Sequence, residues 1–408
     1  IVVPINSWGS AADLQYTLGD SGAKLLAADR QRAVLAADMC AHDGIPLLVS
    51  DVDGPLAESQ APRVDMATIN DVVAANPGAE YTRAQPDPAD PAVLLYTSGS
   101  TGHPKGVVYR HVAIGQALMQ MMFVGYLTIE LDGPVELRGG ATAEASLVTV
   151  PLFHATGLFS GFLLPCMIGQ KVALMRKWDT PTALQIISTE KITTLVTVPA
   201  ILKDLLSHPE LENYSVASIA RVTSAGAATP AGLPELLEAK LGVINRSTGY
   251  GMTETASVGT TASGPVFDLK PMSCGVVSPI VELRSADETD AALPAPTDGE
   301  VQLRGITVTP GYWQREEMTA AAFTDDGWLR TGDVGHLDED GFLHITGRIK
   351  ELVIRGGENI APAEVENVAY RHEAVQEVAV FGVPDESLGE ELAMVYFPRS
   401  GMALTVDE

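Results

Sequence analysis

Short apolar runs alternate with longer stretches of helical spacing along most of this chain. Ala92–Tyr96 and Ser146–Val150 are predicted strands, and Val107–Met122 and Gly157–Ile168 are predicted helices. The strand-like runs are rich in Val, Ile and Thr without clean alternation, which is typical of strands buried on both faces. Strands of this kind alternating with helices predict an α/β fold in which a parallel sheet is covered by helices.

The pattern changes from about Gly299, where strand-like pieces are joined by Asp/Gly turns and predict a smaller β subdomain. Further on, Pro362 marks a helix start between strand-like runs, as in a small α+β domain. We expect a large domain over 1–347, a hinge at 348–350 and a small domain over 351–408. The chain opens in an apolar run without an initiator Met and ends at TVDE without a closing element, so we expect both domains to be incomplete.

The amino-acid composition and net charge limit the kinds of molecule that the chain can bind. The chain has 408 residues, of which 46% are hydrophobic and 19% charged, so it can bury a sizeable core. It carries 26 Lys and Arg against 52 Asp and Glu, a formal net charge of -26. Such a surface repels polyanions, so we expect no nucleic-acid partner. An anionic substrate would need local cations and backbone N–H groups to hold it.

The three cysteines, Cys40, Cys166 and Cys274, lie far apart and form no CxxC pair. This spacing argues against a disulfide framework and against a zinc site, and it predicts a reducing, cytoplasmic compartment. No window of roughly 18 uninterrupted apolar residues occurs, so we expect no integral membrane segment. The oligomeric state cannot be read from the sequence.

The segment Leu94–Arg110 contains a loop rich in Gly, Ser and Thr with a single cation, Lys105. A strand, a loop of this composition and a helix form a phosphate-binding arrangement, because glycine allows close backbone approach and a helix N-terminus favours anions. The match to the P-loop pattern fails at Pro104 and Gly106. With no hydroxyl after Lys105, a magnesium ligand has to come from elsewhere.

The loop sequence YTSGSTGHPKGV resembles the signature of the acyl-adenylate-forming superfamily, which includes acyl-CoA synthetases, aryl-CoA ligases and adenylation domains of peptide synthetases. Further segments match in the family's order. They are PLFHATGL (151–158), STGYGMTET (247–255), TGD (331–333) and GRIKELVIRGGENIAPAEVE (347–366). The resemblance implies an enzyme that uses ATP, Mg²⁺ and coenzyme A to activate a carboxylic acid.

The resemblance also implies which residues bind ATP. They are Thr97, Ser98, Gly99, Ser100, Thr101, Gly102, Lys105, Gly226, Ala227, Tyr250, Gly251, Thr253, Asp333 and Arg348. Tyr250 is expected to pack against adenine. Asp333 can accept both ribose hydroxyls, since an ionised carboxylate only accepts hydrogen bonds, although an Asp in a turn is also ordinary turn composition.

The residues expected to serve catalysis are Lys105, Thr253, Glu254 and His154. Glu254 is the expected magnesium ligand, because this ion takes one or two carboxylates together with substrate phosphates. His154 lies between a strand and an apolar helix, where a helix-capping or core role is the alternative to positioning the substrate carboxylate. Lys350 is the expected hinge residue.

The motifs also bear on the type of ligase. A His at position 154, where peptide-synthetase domains usually carry Asp, argues against an amino-acid substrate. The resemblance of the segment around Gly356 and Gly357 to CoA ligases implies that these glycines line the path of CoA. We expect a fatty or alicyclic acid, with an aryl acid, a carrier-protein acceptor and a non-catalytic nucleotide-binding relative as alternatives. The family's adenylation Lys is expected beyond Glu408, so we expect impaired adenylation by the chain as given.

Overall fold

The computed structural model describes most of the chain and arranges it in two compact units. The described residues are 1–50, 66–80, 84–97, 103–134, 136–226, 232–242, 244–355, 358–370, 372, 374–385, 387–398 and 402. The first unit comprises Ile1–His111 with Gly311–Gln314, and the second comprises Val112–Pro310 with Arg315–Glu408.

The first unit contains a small parallel sheet with its own apolar core. Its elements are α1 (Ala11–Ser21), β1 (Leu26–Ala28), α2 (Arg30–Asp43), β2 (Leu47–Val49), β3 (Met66–Thr68), α3 (Ile69–Ala75), β4 (Pro91–Thr97) and β5 (Lys105–Arg110). Strands β1, β2 and β3 pair in parallel and in that order. Helix α1 begins at a capping box in which Ser10 and Asp13 hydrogen-bond reciprocally, which satisfies otherwise unpaired N–H groups.

Strands β4 and β5 form an antiparallel hairpin in which Thr97 pairs with Lys105. Because β5 follows the Gly-rich segment and the next helix begins only at His111, the prediction of one helix over Val107–Met122 was wrong at its beginning. The residues there, Val-Val-Tyr, are β-branched and aromatic and favour a strand. The argument for phosphate binding therefore loses the contribution of a helix N-terminus directly after the loop.

The second unit is organised around a seven-stranded sheet of order β12-β11-β10-β9-β8-β6-β7. Its strands are β6 (Ala145–Val148), β7 (Lys171–Leu174), β8 (Thr194–Thr197), β9 (Arg221–Ser224), β10 (Asn245–Tyr250), β11 (Thr260–Ser263) and β12 (Val276–Val277). Strands β6 to β10 run parallel to their neighbours, whereas β11 and β12 pair antiparallel at one edge. The predicted parallel sheet in an α/β fold is confirmed.

Helices accompany this sheet along the chain. They are α4 (His111–Asp132), a π-helix (Thr156–Leu163), α5 (Leu164–Met167), α6 (Thr180–Glu190), α7 (Pro199–Ser207), α8 (Leu233–Leu241) and α9 (Pro265–Leu269). Leu184, Leu202 and Leu237 from α6, α7 and α8 pack with Leu195 and Val222 of the sheet in the main core. Burial of each such side chain contributes about 1.5–3 kcal/mol, so this packing fixes the sheet on one face.

Helix α4 carries large apolar side chains that are exposed as well as those that pack in the core. Its exposed side chains include Met119, Phe123, Tyr126 and Leu131. By length and composition alone it is long and apolar enough to cross a membrane, with a mean hydropathy of 1.5 over an 18-residue stretch that is 28% buried. A single helix of this kind is a weak indication of a membrane span.

A four-stranded antiparallel sheet of order β13-β14-β15-β16 follows. Its elements are β13 (Val281–Ala286), β14 (Gly299–Gly305), α10 (Glu316–Ala322), β15 (Leu329–Leu337) and β16 (Leu343–Arg348). The turn between β15 and β16 is closed by hydrogen bonds between Asp338 and Phe342 and between Gly341 and Asp338. The predicted β subdomain with its Asp/Gly turns is confirmed.

The last elements form a four-stranded sheet with one helix. They are β17 (Val353–Arg355), β18 (Glu358–Ile360), α11 (Pro362–Ala369), β19 (Val375–Asp385) and β20 (Gly389–Pro398), and the sheet order is β18-β17-β20-β19. The helix begins at Pro362 as predicted, since proline at the first helical position lacks only an N–H that has no partner there. The expected domain boundaries at 348–350 stay a prediction.

Candidate active site

A cavity of about 420 Å³ lies in the second unit between helix α4 and the seven-stranded sheet. Helix α4 contributes Met121, Val124 and Ile129 to its wall, and the helical segment after β6 contributes Leu164 and Pro165. This side of the cavity is mainly apolar, although Gln120, Tyr126 and Thr128 of α4 also line it. Its volume and lining suit the apolar body of a small organic molecule.

The sheet side of the cavity is polar, whereas the opposite face of the same strands is apolar. Successive side chains of a strand point to opposite faces. Leu195 and Val222 belong to the main core, while their neighbours Thr194, Arg221 and Thr223 line the cavity. A polar sheet face covered by a helix is costly unless its groups are hydrogen-bonded. The cavity is therefore built for contents that can hydrogen-bond.

The cavity extends along the strands from their amino ends to their carboxyl ends. Arg221 is the first residue of β9, and Ala225 follows the last residue of that strand; both line the cavity. At ~3.3 Å per residue, ~13 Å of strand separate these two positions. The cavity therefore has one end at the amino ends of the strands and another at their carboxyl ends.

At the amino ends, Glu144 accepts hydrogen bonds from Arg221 and Gln170, and all three residues line the cavity. Arg221 Nη2 lies 2.6 Å from Glu144 Oε1. Burial would raise the pKa of Glu144, but the hydrogen bond and charge of Arg221 and the hydrogen bond from Gln170 hold it below its ordinary value. This end therefore carries a fixed ion pair.

At the carboxyl ends, the lining consists of small residues. Gly226 adopts a left-handed φ of 87°, and a Cβ on Gly251 would lie 2.6 Å from the carbonyl carbon of Ser257. Both positions therefore favour glycine. Ligands of open α/β sheets bind outside the carboxyl ends of the strands, where these glycines leave room.

Asp333 lies in β15 and is held from two sides. Tyr250 Oη donates to Asp333 Oδ2 over 2.6 Å, and Arg348 Nε lies 2.8 Å from Oδ1. The Asp333 side chain is 7% exposed, while that of Arg348 is 64% exposed. Burial and the negative charge of Asp333 raise the pKa of Tyr250, so its phenol remains a donor. The carboxylate is thus oriented by one neutral and one charged donor.

Thr253 and Glu254 lie in a short 3₁₀ turn after β10. Glu254 is 5% exposed, and its backbone carbonyl accepts a hydrogen bond from the N–H of Thr309 over 2.7 Å. The turn ends in two consecutive left-handed residues, Ala256 with φ 54° and Ser257 with φ 61°. Such conformations cost energy in residues other than glycine and cluster at functional sites.

Lys105 and Thr97 belong to the first unit, where β4 and β5 hold them side by side. The ammonium of Lys105 lies 3.9 Å from the centroid of the Tyr312 ring. The backbone of β5 is held to the same segment, because Gly106 O accepts from the Trp313 N–H over 2.7 Å. A cation over an aromatic face is attracted to it, so Tyr312 fixes the direction of Lys105.

Residues 1–313 match the profile of the family described as AMP-binding enzyme, and residues 364–408 match the AMP-binding enzyme C-terminal domain. The first match alone covers more than half of the chain. The chain belongs to the AMP-binding enzyme family. The resemblance drawn from the loop and its companion segments is confirmed.

Two curated AMP-binding enzymes illustrate the range of similar proteins. The chain is 33% identical over 362 residues to 4-coumarate–CoA ligase-like 4 of Oryza sativa subsp. japonica, covering 88% of this chain and 62% of that protein. It is 34% identical over 339 residues to 3-[(3aS,4S,7aS)-7a-methyl-1,5-dioxo-octahydro-1H-inden-4-yl]propanoyl:CoA ligase of Rhodococcus jostii (strain RHA1), covering 81% of this chain and 61% of that protein. The chain thus spans less than two thirds of each relative.

The fold is shared with solved adenylate-forming enzymes. O-succinylbenzoate coenzyme A synthetase of Bacillus subtilis, solved in complex with ATP and a magnesium ion, superimposes with a TM-score of 0.73 at 27% identity. The match covers 97% of this chain and 73% of that chain. The α/β architecture with its attached β subdomain is therefore that of this enzyme class.

In this AMP-binding enzyme the second unit brings together part of the expected site. Tyr250, Asp333 and Arg348 are in direct contact, and Gly226 and Gly251 both line the cavity. Lys350 lies in the turn between β16 and β17. The expected residues Ser98, Gly99, Ser100, Thr101, Gly102, Ala227, Gly356 and Gly357 lie outside the described residues.

His154 lies just before the π-helix, and its carbonyl accepts the N–H of Leu158 over 2.9 Å. Its ring is tilted against that of Phe153 with 4.6 Å between centroids. The ring is exposed, yet the protein around it removes part of its water, and this burial lowers the pKa of His154. Near neutral pH the ring is therefore uncharged, which suits positioning better than charge stabilisation.

Sequence reasoning missed four residues that the structure places at these sites. They are Gln120, Glu144, Arg221 and Tyr312. Gln120 had a visible signal, since Gln116 and Gln120 are the two amides in the apolar run that forms α4. Only the structure shows that Gln116 is exposed and Gln120 buried.

The residues fit ATP and magnesium in chemical terms. Glu254 offers one buried carboxylate, and within the described residues no group of three or more His, Cys, Asp or Glu could hold a metal ion. Magnesium is commonly bound by one or two carboxylates together with substrate phosphates and water. A carboxylate such as that of Glu254 therefore fits the usual donors of an ion that arrives with a nucleotide.

Proposed function

We propose that this chain activates a carboxylic acid with ATP and transfers the acyl group to coenzyme A, as an AMP-forming acid–thiol ligase. The observation that carries the proposal is the cavity itself. It joins an apolar wall for an acyl group to a glycine-lined end at the carboxyl ends of the strands, next to the motifs for nucleotide binding. The family and the ATP- and magnesium-bound neighbour support the same chemistry.

In the first step, an oxygen of the substrate carboxylate attacks the α-phosphorus of ATP. The bond from that phosphorus to the bridging oxygen breaks, and pyrophosphate leaves with the electron pair. A carboxylate is ionised at neutral pH, so the step needs no general base. The protein therefore contributes by holding the reactants in line and by stabilising charge.

The residues have distinct roles in this proposal. Asp333, oriented by Tyr250 and Arg348, accepts the ribose hydroxyls. Thr253 donates to the α-phosphate, and Lys105 with the Gly-rich loop binds the phosphates that leave. Magnesium held by Glu254 would neutralise phosphate charge as it builds on the leaving group.

In the second step, the sulfur of coenzyme A attacks the activated carbonyl carbon. A thioester bond forms, the bond to AMP breaks, and the thiol proton is released. We assign His154 to positioning the acyl carboxylate, Lys350 to the hinge between the two steps, and Gly356 and Gly357 to the CoA path. Three free cysteines support a reducing, cytoplasmic setting.

The acid is proposed to be aliphatic, either fatty or alicyclic. The α4 side of the cavity carries the aliphatic side chains of Met121, Val124 and Ile129, and Tyr126 is the one aromatic residue among the described lining residues. The Rhodococcus relative is named for an alicyclic propanoate, which supports this choice. The rice relative is named after 4-coumarate, so an aryl acid is the competing substrate class.

The test is AMP release by the full-length protein across a panel of aliphatic and aryl acids, with and without coenzyme A. We expect AMP and acyl-CoA to appear together only when an accepted acid and coenzyme A are both present. Acyl-AMP that accumulates while AMP release ignores coenzyme A would instead favour a carrier-protein acceptor. ATP binding with no turnover on any acid would favour a non-catalytic relative.

A further inference from the structure

The cavity contains buried polar groups that the described protein leaves without partners. Gln120 is 6% exposed and lines the cavity from α4, and its Nε2 finds no hydrogen-bond partner among the described residues. The hydroxyl of Thr194, on the opposite wall, is also buried and unpartnered within the part of the chain that is described. An amide N–H₂ that faces an acyl cavity in this way requires an acceptor from whatever fills it.

The sheet around Thr194 reinforces this pattern. Ser146 pairs directly with Thr194 across β6 and β8, so both side chains lie on the same face. Ser146 is fully buried, and its hydroxyl likewise has no partner among the described residues. On the other side, Thr194 pairs with Arg221, whose guanidinium is already engaged by Glu144. Two hydroxyls without partners among the described residues, those of Ser146 and Thr194, thus lie beside a fixed ion pair.

These strand positions lie away from the nucleotide end. Thr194 and Arg221 are the first residues of β8 and β9, whereas Ala225 and Gly226 follow the carboxyl end of β9. An acid whose carboxylate meets ATP at the carboxyl ends extends its far end toward Thr194 and Arg221. The polar groups of the sheet therefore meet the body or far end of the acid, not its carboxylate.

We propose that the acid carries a hydrogen-bond-accepting oxygen, a ketone or hydroxyl, remote from its carboxylate, and that Gln120 Nε2 selects for it. This inference rests on the proposed function and names its substrate class more closely. A wholly apolar acyl chain would displace water from Gln120 and the hydroxyls and leave them unpaired, at a cost of roughly tenfold in affinity for each group. A remote oxygen accepts from Gln120 and removes that cost.

The test compares matched pairs of medium-chain acids that differ only by a ketone at the carbon next to the chain end. Binding to the full chain in the presence of AMP, which cannot activate the acid, is measured by calorimetry, and CoA-dependent AMP release from ATP is measured separately. We expect the oxo member of the best pair to bind roughly tenfold more tightly than its plain partner. In Gln120→Leu the preference should disappear, because the donor is replaced by an apolar side chain of similar size.

Met122→Leu is the matched control, since Met122 also lines the cavity from α4 and carries no amide. This variant should keep the preference for the oxo acid. Equal binding of both members of every pair by the unaltered protein would overturn the proposal, as would a preference that survives in Gln120→Leu. Circular dichroism of each variant shows whether the fold is retained, and Gln120→Met replaces Gln120→Leu if it is not.

The two readouts separate the two proposals. Preferential binding of oxo acids without any thioester would retain the remote-oxygen site and sink the ligase function. Thioester formation on plain and oxo acids alike, with equal binding, would retain the ligase function and sink the remote-oxygen site.

Discussion

Tyr250 donates a hydrogen bond of 2.6 Å to Asp333, and Arg348 approaches the other oxygen of the same carboxylate at 2.8 Å. An ionised carboxylate has about four acceptor positions, two on each oxygen. Among the described residues, these two donors take one position on each oxygen, which leaves a second position on each oxygen for a ligand. That arrangement suits a vicinal diol such as ribose, whose two hydroxyls can bind to both oxygens at once.

Tyr250→Phe should therefore weaken nucleotide binding without removing the acceptor. The carboxylate loses one of the two donors that orient it, so we expect AMP to bind roughly five- to tenfold more weakly. Calorimetric titration with AMP measures the change. Tyr214→Phe is the control, because Tyr214 packs against the main core and should leave AMP affinity unchanged. Equal losses in both variants would contradict an orienting role for Tyr250.

Lys105→Ala should raise the KM for ATP by about ten- to a hundredfold, because hydrogen bonds to charged groups contribute about 1.5–3 kcal/mol. The fold of the first unit should lose no more than about 1 kcal/mol, the value of the contact with Tyr312. Steady-state kinetics and thermal unfolding give the two numbers. Lys24→Ala, at an exposed lysine in the same unit, is the matched control. Unchanged ATP kinetics in Lys105→Ala would remove Lys105 from the phosphate site.

Glu254→Gln keeps the shape of the buried side chain and removes its charge. Loss of residues that only orient metal ligands costs about 10–100-fold in metal affinity, so loss of the ligand itself should raise the magnesium needed for half-maximal activity by at least about tenfold. A magnesium titration of pyrophosphate release measures this, and EDTA should abolish release in the unaltered protein. The exposed Glu235→Gln should match the unaltered protein. An identical magnesium dependence in Glu254→Gln would rule out Glu254 as the ligand.

Protonation of His154 should produce a fall in kcat/KM on the acid side of the pH profile. Burial lowers the pKa of His154 from 6.5, so the neutral ring prevails at neutral pH and is protonated as pH falls through the lowered value. The folded state binds this proton less readily than the unfolded state. The contribution of His154 to the free energy of unfolding is therefore fully present above the unfolded pKa and is lost as the pH falls through the folded pKa. We expect kcat/KM to fall over the same range.

His154→Gln provides the comparison, because glutamine keeps a polar side chain that does not titrate. Its kcat/KM should be lower at neutral pH and should no longer fall on the acid side. An acid limb that persists unchanged in this variant would assign the titration to another group.

The order of strands and helices in the second unit could be predicted because period and composition agree there. The second strand of the hairpin, β5, could not be predicted, because Val-Val-Tyr after the Gly-rich loop is apolar enough to continue the helical pattern of α4. β-branched and aromatic content was the available signal for the strand. The helix start at Pro362 was predicted correctly because the chemistry of a helix N-terminus is local.

The residues of the candidate site could also be predicted only in part from the sequence. Motifs singled out Asp333, Tyr250 and Arg348 as candidates. The contacts of Asp333 with the other two depend on pairing between β15 and β16 and on the approach of β10, which no local pattern encodes. Gln120 and Gln116 look equivalent in the sequence. Their different burial is set by the rotation of α4 on the sheet, which is a property of packing.

Along β8 and β9, residues that line the cavity alternate with residues that pack in the core. Thr194, Arg221 and Thr223 shape the cavity, while the residues between them, Leu195 and Val222, hold the sheet to its helices. Substrate preference can therefore change through substitutions at every second position without disturbing the core. A one-residue slip of either strand would exchange the two sets, so the register that secures the fold also preserves the specificity of the pocket.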